Sequence, residues 1–408
     1  MWESGDNERC VYGKMSFVRT VGIVILMEEE KMTGAEGKMK AVVAGHICVD
    51  ITPVFPVTAR ESIHQVLEPG KLIQVGAADI HTGGAVANTG LAMKRMGIDV
   101  KLMGKIGADP FGENVLSILQ SYDAQGDMIT DNHVSTSYSI VLAVPGTDRI
   151  FLHNPGANDS FSSEDLDMNK ISGAHLFHFG YPPLMKKMYE NSGAELIRIF
   201  REIYKMGIVT SLDFAAIDPK SEAGRQDWEA ILKQVLPWVD FFMPSMEELC
   251  FMLDREMYCE WQRRAAGSDI AEVIRKDEIR SLGERLVQLG AGSMLIKCGS
   301  FGFYYRMADA GRLAHVEERI GRSLKEWCGK QGFESCYQPE QILSGTGAGD
   351  TTIAAFLTAL LQGYSLKNCL RLASAAGAGC VEHIDALSGV RPLDEQMDRI
   401  RRGWKKTV

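Results

Sequence analysis

The sequence predicts an α/β protein, in which a mostly parallel central sheet lies between helices and a small β-sheet forms a lid. From residue 41 onward, short apolar runs alternate with amphipathic helical stretches, the pattern of strand–helix–strand units. Two segments, 51–81 and 133–158, instead alternate apolar and polar residues and interrupt this rhythm. Because both interruptions have β character, we expect them to form one small sheet that covers the ligand site.

The predicted core elements follow one another in regular order. Strands are expected at 41–45, 100–103, 174–179, 208–213, 239–243 and 293–297, and helices at 85–96, 112–121, 193–206, 279–290 and 351–362. Within the lid, two alternating runs at 138–144 and 149–152 flank a polar turn, which predicts a β-hairpin. Ligands of parallel sheets bind beyond the carboxyl ends of the strands, so polar residues there are candidate site residues.

We divide the chain into a leader, a core and a tail. Residues 1–39 show no sustained periodicity and are expected to be a flexible leader, followed by one domain over residues 40–400. Residues 401–408 are a basic tail, expected to be a solvated helix end. The segments 254–278 and 306–338 are long charged insertions whose role the sequence does not reveal. The basic residues near the end of the chain are Arg399, Arg401, Arg402, Lys405 and Lys406.

The bulk composition excludes several classes of protein. The 408-residue chain is 45% hydrophobic and 24% charged, which is ordinary for a globular protein. Its net charge of −9 argues against general binding of nucleic acid or of a membrane surface. No apolar run is long enough to span a membrane. Nine cysteines without a C-x-x-C pair indicate reduced thiols, so we expect a cytoplasmic protein.

A glycine-rich loop at residues 344–352 carries the strongest local signal. Gly345, Gly347 and Gly349 allow tight turns and close approach of a ligand to the backbone, and an apolar helix follows them. The start of a helix presents unpaired N–H groups and a partial positive charge. The loop therefore predicts an anion-binding site, although it lacks the lysine of the G-x-x-x-x-G-K-[ST] phosphate loop.

Asp350 follows these glycines and has two interpretations. A carboxylate beside an anion-binding loop repels phosphate, which is explained if it accepts the proton of a hydroxyl that attacks the phosphoryl group. Alternatively, Asp350 caps the start of the helix and has no chemical role. The loop alone leaves both interpretations open.

Three separate motifs resemble those of one family, the ribokinase-like (PfkB) carbohydrate kinases. They are Gly345–Asp350 with its helix, the stretch Gly83–Ala92 followed by Gly97, and the stretch Gly104–Gly112. The resemblance covers roughly residues 41–395 in the family's order. It implies a ribokinase-like three-layer sandwich with a β-sheet lid, and ATP-dependent phosphorylation of a hydroxyl group on a sugar or nucleoside.

The resemblance also assigns roles to individual residues. For the chemical step these are Asp350 as general base and Gly347, Ala348 and Gly349 as anion hole; for the substrate they are Asp50, Gly83, Gly84 and Asn88. A carboxylate and an amide suit sugar hydroxyls, because together they accept and donate hydrogen bonds. The alternatives for Asp50 and Asn88 are a turn cap and an ordinary helix start.

A second set of residues is assigned to ATP and its metal. They are Lys297, Gly299, Gly302, Thr346 and Gly377 for the nucleotide, and Glu248, acting through water, for Mg²⁺. Four positions depart from the family's pattern. Ser245 replaces an asparagine, Ala85 replaces the lysine of true ribokinases, and Ser344 replaces an aspartate tied to a monovalent-cation site, which leaves a potassium requirement open. Lys297 itself replaces a small hydroxyl residue, and its cationic arm reaches either a phosphate or solvent.

Two other functions are weighed against the kinase. A Rossmann-type oxidoreductase requires the glycine loop after the first strand and an acidic residue about 20 positions later. A sugar-binding protein without catalysis would keep the fold but not need Asp350 and Glu248. The acceptor is left open between sugars, sugar acids and nucleosides, and we expect the lid to select it and to pair with a second copy in a homodimer.

Overall fold

The computed structural model describes residues 38–55, 67, 69–144 and 150–407. The leader and the polar turn of the lid hairpin lie outside the described residues. The strands in these ranges are β1 Lys40–Gly45, β2 Cys48–Pro53, β3 Ala78–Gly83, β4 Asp99–Met103, β5 Lys105–Gly107, β6 Ile129–Asp131, β7 Tyr138–Leu142, β8 Ile150–Asn154, β9 Leu176–Gly180, β10 Val209–Asp213, β11 Phe241–Phe242, β12 Ser293–Lys297, β13 Phe303–Arg306 and β14 Gln331–Glu334. The α-helices in the described ranges are α1 Ala85–Arg95, α2 Pro110–Gln120, α3 Met168–Ser172, α4 Lys186–Lys205, α5 Trp228–Val235, α6 Met246–Leu253, α7 Arg255–Ala265, α8 Lys276–Gln288, α9 Ala310–Ile320, α10 Ala348–Leu361, α11 Leu366–Cys380 and α12 Leu393–Arg401.

An eight-stranded sheet forms the centre of the molecule, in the order β14-β13-β12-β11-β10-β9-β1-β4. The strands from β4 to β12 are parallel, and β13 and β14 join antiparallel at one edge. Parallel neighbours need long crossover connections, which explains the alternation of strand and helix along the chain. The predicted mostly parallel sheet is confirmed.

Helices cover both faces of this sheet and create two hydrophobic cores. On one face, helices α1 and α10 bury side chains such as Leu91 and Phe356. On the other face, helices α4 and α5 bury Phe200 and Trp228. Central parallel strands must be apolar on both sides, and β1 is accordingly buried from Ala41 to Gly45. The predicted three-layer arrangement is therefore confirmed.

The lid is a four-stranded sheet in the order β3-β2-β7-β8. Strands β7 and β8 are antiparallel, as the predicted hairpin requires, while β2 pairs parallel with β7. The first lid segment runs from Cys48 to Gly83 and is slightly wider than the predicted 51–81, and β2 follows β1 after a sharp turn at Gly45. Gly45 has φ of +119°, and a Cβ there would lie 2.4 Å from the carbonyl oxygen of Gly180.

The two insertions without a predicted role are part of the domain. Residues 254–278 contain α7, and residues 306–338 contain α9 and the edge strand β14. Both helices pack their apolar sides into the cores through Trp261 and Val316.

The basic tail is not simply a solvated helix end. Arg399 forms an ion pair with Glu382 at 2.7 Å, and its guanidinium lies 3.5 Å from the centre of the Trp404 ring. Lys406 pairs with Glu334 of β14, and the backbone there forms an antiparallel bridge with Tyr337. The prediction treated these charges as free, but neighbouring acidic and aromatic groups fix two of them in place. Within the ranges that the structure describes, we find no helix with the length and apolarity needed to cross a bilayer.

Candidate active site

Polar side chains collect at the carboxyl ends of three neighbouring central strands. His46 follows β1, Tyr181 follows β9, and Asp213 ends β10. The start of α10, with the glycine loop, faces the same edge, because Asp350 contacts Tyr181 there. This is the edge at which parallel α/β sheets bind ligands.

Asp350 receives hydrogen bonds from three side chains. Asn88 donates its Nδ2 to Oδ2 at 3.0 Å, and the Thr89 hydroxyl donates to Oδ1 at 3.2 Å. The Tyr181 hydroxyl lies 2.9 Å from Oδ1 and 2.8 Å from Oδ2. The fold thus brings Asn88 and Asp350 into contact, although they are far apart in the sequence.

The surroundings of Asp350 raise the pKa of its carboxyl group. Burial raises the pKa of its carboxyl, while hydrogen bonds from Tyr181 and Asn88 and the charge of Lys297 oppose the rise without cancelling it. A carboxylate with a raised pKa is a stronger proton acceptor than an ordinary exposed aspartate.

The structure shows whether Asp350 caps the start of helix α10. The N-cap of α10 is Gly347, no side chain caps this helix, and Asp350 lies inside the first turn. Its carboxylate contacts side chains from α1 and from the end of β9, so the N-cap interpretation is wrong. No side chain competes for the first-turn amides of α10, so the Gly349 amide in particular is available to a ligand.

The glycine loop is held in its shape by close packing. Gly347 has φ of +74°, and a Cβ there would lie 2.1 Å from the Cβ of Ala386. Ser344 accepts a hydrogen bond from the Thr346 amide at 3.1 Å, and the Ala348 amide donates to Gly345 at 3.4 Å. The Cα of Gly349 faces Lys297: a Cβ there would lie 3.4 Å from Cε of that side chain. These contacts place the loop beside a buried ammonium group.

The predicted substrate residues lie on the lid side of the same cleft. A Cβ at Gly83 would lie 2.2 Å from Oδ2 of Asp50, and one at Gly84 would lie 2.5 Å from Nδ1 of His46. Both glycines therefore permit close contact between the lid and the start of α1. Burial raises the pKa of Asp50, against hydrogen bonds from Cys48 and Ser139.

Two histidines line this side of the cleft. The rings of His46 and His153 are 5.3 Å apart, and His46 lies 5.9 Å from the Tyr181 ring. Burial, with a smaller effect of His153, lowers the pKa of His46 to about 3, so its ring is neutral. Both of its buried ring nitrogens are without a hydrogen-bond partner among the described residues. Such atoms call for a ligand or water that supplies the missing bonds.

A buried ammonium group lies beside the glycine loop and next to a buried carboxylate. Nζ of Lys297 lies 2.6 Å from Oδ1 of Asp213 and 2.6 Å from the carbonyl oxygen of Met243. Burial by itself would lower the pKa of Lys297, but the charges of Asp213 and Glu248 raise it, so the ammonium persists at neutral pH. Lys297 thus points into the site; it does not extend to solvent.

Glu248 has a structural role that the sequence did not reveal. It forms a capping box at the start of α6: its Oε2 accepts the Ser245 amide at 2.8 Å, and the Ser245 hydroxyl accepts the Glu248 amide at 3.2 Å. Burial raises the pKa of Glu248, and Lys297 and the Ser245 bonds oppose that rise. Oε2 is occupied by the cap, so a metal-bound water would need the other carboxylate oxygen.

The remaining nucleotide candidates have packing reasons to be glycine. A Cβ at Gly302 would lie 2.0 Å from the carbonyl oxygen of Glu334, and one at Gly377 would lie 2.3 Å from the hydroxyl of Thr352. Gly299 adopts φ of +55° in the turn between β12 and β13. Their contact with a nucleotide stays a prediction.

Sequence reasoning missed Tyr181, Asp213, Thr89 and His46. Three of them stand at the carboxyl ends of predicted strands, where ligands were expected, and that position was the available signal. Thr89 directly follows Asn88 on α1, but its contact with Asp350 depends on the packing of α1 against α10.

The glycine loop is not a dinucleotide motif. It follows the antiparallel edge strand β14, which precedes α10 in the chain, whereas the oxidoreductase reading requires it after the first strand. That alternative is wrong.

Comparison with known proteins agrees with this architecture. The model of the pfkB family carbohydrate kinases matches residues 42–391. An uncharacterized sugar kinase of Archaeoglobus fulgidus is 21% identical over 71% of this chain and 93% of its own length, and a ribokinase of Arabidopsis thaliana is 22% identical over 78% and 72%.

Solved structures show the same fold. The structure of Arabidopsis thaliana ribokinase complexed with ribose and ATP aligns with a TM-score of 0.63 at 19% identity, covering 89% of this chain and 98% of that one. Fructokinase with bound ATP from Xylella fastidiosa aligns with a TM-score of 0.65 at 18% identity, covering 90% and 99%. The chain therefore belongs to the pfkB family of carbohydrate kinases.

Proposed function

We propose that the protein transfers the terminal phosphoryl group of ATP to a hydroxyl group of a sugar or nucleoside, with Asp350 as general base. The observation that carries this proposal is the 3.0 Å contact between Asn88 and Asp350. This contact supports the proposal, because Asn88, which we assign to the acceptor, lies next to the start of α10, which we assign to the phosphates. Both substrates of a direct transfer can then meet in one place.

The chain supplies the groups that such a transfer needs. Asp350 accepts the proton of the attacking hydroxyl, and its raised pKa suits that task. The amides of Gly347, Ala348 and Gly349 face the terminal phosphoryl group and stabilise the negative charge that accumulates on it. Asp50, Asn88 and the unsatisfied nitrogens of His46 bind the other hydroxyls of the acceptor.

The residues present fit MgATP. The uncapped start of α10 offers amides to phosphate oxygens, and Lys297 adds a fixed positive charge beside Gly349. Within the described ranges no group of three or more His, Cys, Asp or Glu side chains could hold a metal. Mg²⁺ binds through only one or two carboxylates plus waters and phosphates, so Glu248 suffices as a partner through water.

When bound, MgATP supplies the phosphoryl group and part of the charge neutralisation. Lys297 takes the place of a small hydroxyl residue in the family, and we propose that its ammonium contacts a phosphate oxygen. Two of the structures with this fold contain ATP, which supports the choice of nucleotide.

An ATP-consumption screen tests the proposal. MgATP is offered with single candidates from four classes: pentoses, ketohexoses, sugar acids and nucleosides. We expect one class to be phosphorylated by the native protein, with the product identified by mass. If no class is turned over while ATP still binds, the protein is a sugar- or nucleotide-binding protein without catalysis, and the proposal is wrong.

A homodimer through the lid is also proposed. Ile150 and Leu152 of the edge strand β8 are exposed at 41% and 51% of their surface. An edge strand with exposed apolar residues pairs readily with another strand. A second copy of the same lid offers that strand, and its own exposed face would be covered at the same time.

A further inference from the structure

Both oxygens of the Asp350 carboxylate are engaged by side-chain donors. Three side chains of the described residues donate to its two oxygens: Asn88, Thr89 and Tyr181. A carboxylate has about four lone-pair sites, and the Tyr181 hydroxyl faces both oxygens at once. The phenol therefore lies where a hydroxyl that approached both oxygens would have to be, so it must move before such a hydroxyl can give its proton to Asp350.

Tyr181 is the donor that can leave. Asn88 and Thr89 belong to helix α1 and are 6% and 0% exposed, so neither can move without disturbing the core. Tyr181 is half-buried and belongs to the segment that follows β9. Its backbone has φ of +67° and ψ of +42°, a left-handed conformation that is uncommon for a non-glycine residue. The uncommon conformation directs the ring toward Asp350 and away from the apolar core.

We propose that the Tyr181 hydroxyl occupies the position of the acceptor hydroxyl until an acceptor binds, and thereby keeps Asp350 from activating water. The inference rests on the proposed kinase function and adds a residue that directs phosphoryl transfer to the acceptor and away from water. Water that reached Asp350 would give up its proton to the carboxylate, attack the terminal phosphorus and release ADP and phosphate. The Tyr181 hydroxyl fills that place with a group held by the protein.

A sugar or nucleoside displaces the Tyr181 hydroxyl more readily than a water molecule does. A sugar or nucleoside gains several contacts at once, from Asp50, from Asn88 and from the ring nitrogens of His46. A water molecule offers one contact in exchange for the bond it breaks. The ring of His46 lies against that of Tyr181, so an acceptor bound to His46 also reaches the place from which the phenol must move. Tyr181 therefore acts as a positioning residue that yields to the acceptor alone.

The test uses Tyr181→Phe, which removes the hydroxyl and keeps the ring. The matched control is Tyr364→Phe: Tyr364 also donates to an aspartate, Asp394, at 2.7 Å, but lies beyond the far end of α10. Phosphate release from MgATP is measured in the absence of any acceptor. We expect Tyr181→Phe to raise it about tenfold, the size of effect that follows from losing one hydrogen bond to a charged group. Tyr364→Phe is expected to behave as the native protein.

Two further measurements identify the cause. In the double variant Tyr181→Phe with Asp350→Asn, the gained phosphate release should disappear, because the base is gone. With the acceptor that the native protein phosphorylates, Tyr181→Phe should lower KM by about tenfold and leave kcat within about threefold, since the acceptor no longer competes with the phenol. Tyr181→Met repeats both assays with a flexible apolar side chain, in case the phenylalanine variant folds poorly.

The opposite results overturn the inference. Unchanged phosphate release together with a lower kcat and an unchanged KM would make Tyr181 a permanent support of Asp350 during catalysis. Phosphate release that rises but persists without Asp350 would also contradict it. Neither result affects the kinase function, which fails only if the native protein transfers phosphate to no acceptor.

Discussion

Asp350 and Asp213 are two buried carboxylates of one cleft, and their partners differ in charge. Asp350 is held by neutral donors, from Tyr181, Asn88 and Thr89. Asp213 is held by the ammonium group of Lys297 at 2.6 Å. Both kinds of partner favour the ionised form of a carboxylate, and burial opposes them by raising the pKa of Asp350 and of Asp213. The comparison teaches that the two aspartates differ in what a loss of their charge disturbs: at Asp350 it affects neutral hydroxyl and amide groups, and at Asp213 it leaves a buried ammonium without its nearest partner.

Removing Asp350 should have the largest effect on activity. We expect Asp350→Asn to lower kcat by roughly 10²–10⁴, the usual contribution of a general base. The measurement is initial velocity with saturating MgATP and the accepted substrate. Asp350→Asn should still bind MgATP with nearly native affinity, because Asn also fits the hydrogen-bonding surroundings. Turnover within about tenfold of native would remove the general-base role.

Removing Asp213 should instead have its main effect on stability. Asp213→Asn leaves the Lys297 ammonium buried without its nearest counter-charge, which typically costs about 3–5 kcal/mol of unfolding free energy. Urea denaturation measures it. Asp350→Asn is the matched control and should change the unfolding free energy much less, since it leaves no unpaired ion. Equal losses in the two variants would erase the distinction between the two carboxylates.

The pH dependence of the reaction tests whether the ammonium group that pairs with Asp213 also acts on Asp350. Because Asp350 must be ionised to act and its pKa is raised, kcat/KM should fall with decreasing pH at values above the ordinary aspartate pKa of about 3.9. The charge of Lys297 lowers the pKa of Asp350. Lys297→Met should therefore move this acid limb to higher pH and also raise KM for MgATP.

The control for that experiment is Lys170→Met. Lys170 forms a surface ion pair with Asp127 and lies at 43% side-chain exposure. Its removal should leave the pH profile in place. A limb that does not move in Lys297→Met would show that the ammonium does not act on Asp350.

The smallest effect is expected at the lid. Leu152→Lys places a charge on the exposed edge strand β8 and should convert a dimer to a monomer, with kcat/KM changed by only a few-fold. Light scattering gives the mass. Ile384→Lys is the control, because Ile384 is 67% exposed on a loop outside the lid. A native protein that is already monomeric would remove the proposed dimer.

The sequence predicted the parts of the site that belong to local patterns. The glycine loop and Asp350 could be found because close turns and a carboxylate beside an anion site are unusual in sequence, and Asn88 was assigned through the resemblance to the family. The lid could be found because its period of two interrupts the helical rhythm. These parts meet in one cleft because the order of the central strands places α1 beside α10.

Other parts could not be found from the sequence. Tyr181 precedes two prolines and reads as an ordinary turn, and only its left-handed backbone turns the hydroxyl toward Asp350. The ion pair of Asp213 and Lys297 joins the ends of strands 84 positions apart. Strand β14 lies in a charged segment of the sequence. Because it is at the edge of the sheet, it needs fewer apolar residues than a central strand.

The central claim is that the acceptor and the phosphoryl group meet at Asp350. A crystal structure with the accepted substrate and a non-hydrolysable ATP analogue tests it most directly. The account predicts one acceptor hydroxyl at about 2.6–3.2 Å from the Asp350 carboxylate, with the terminal phosphate at the amides of Gly347–Gly349. An acceptor hydroxyl held away from Asp350, or phosphates bound elsewhere than at the start of α10, would contradict it.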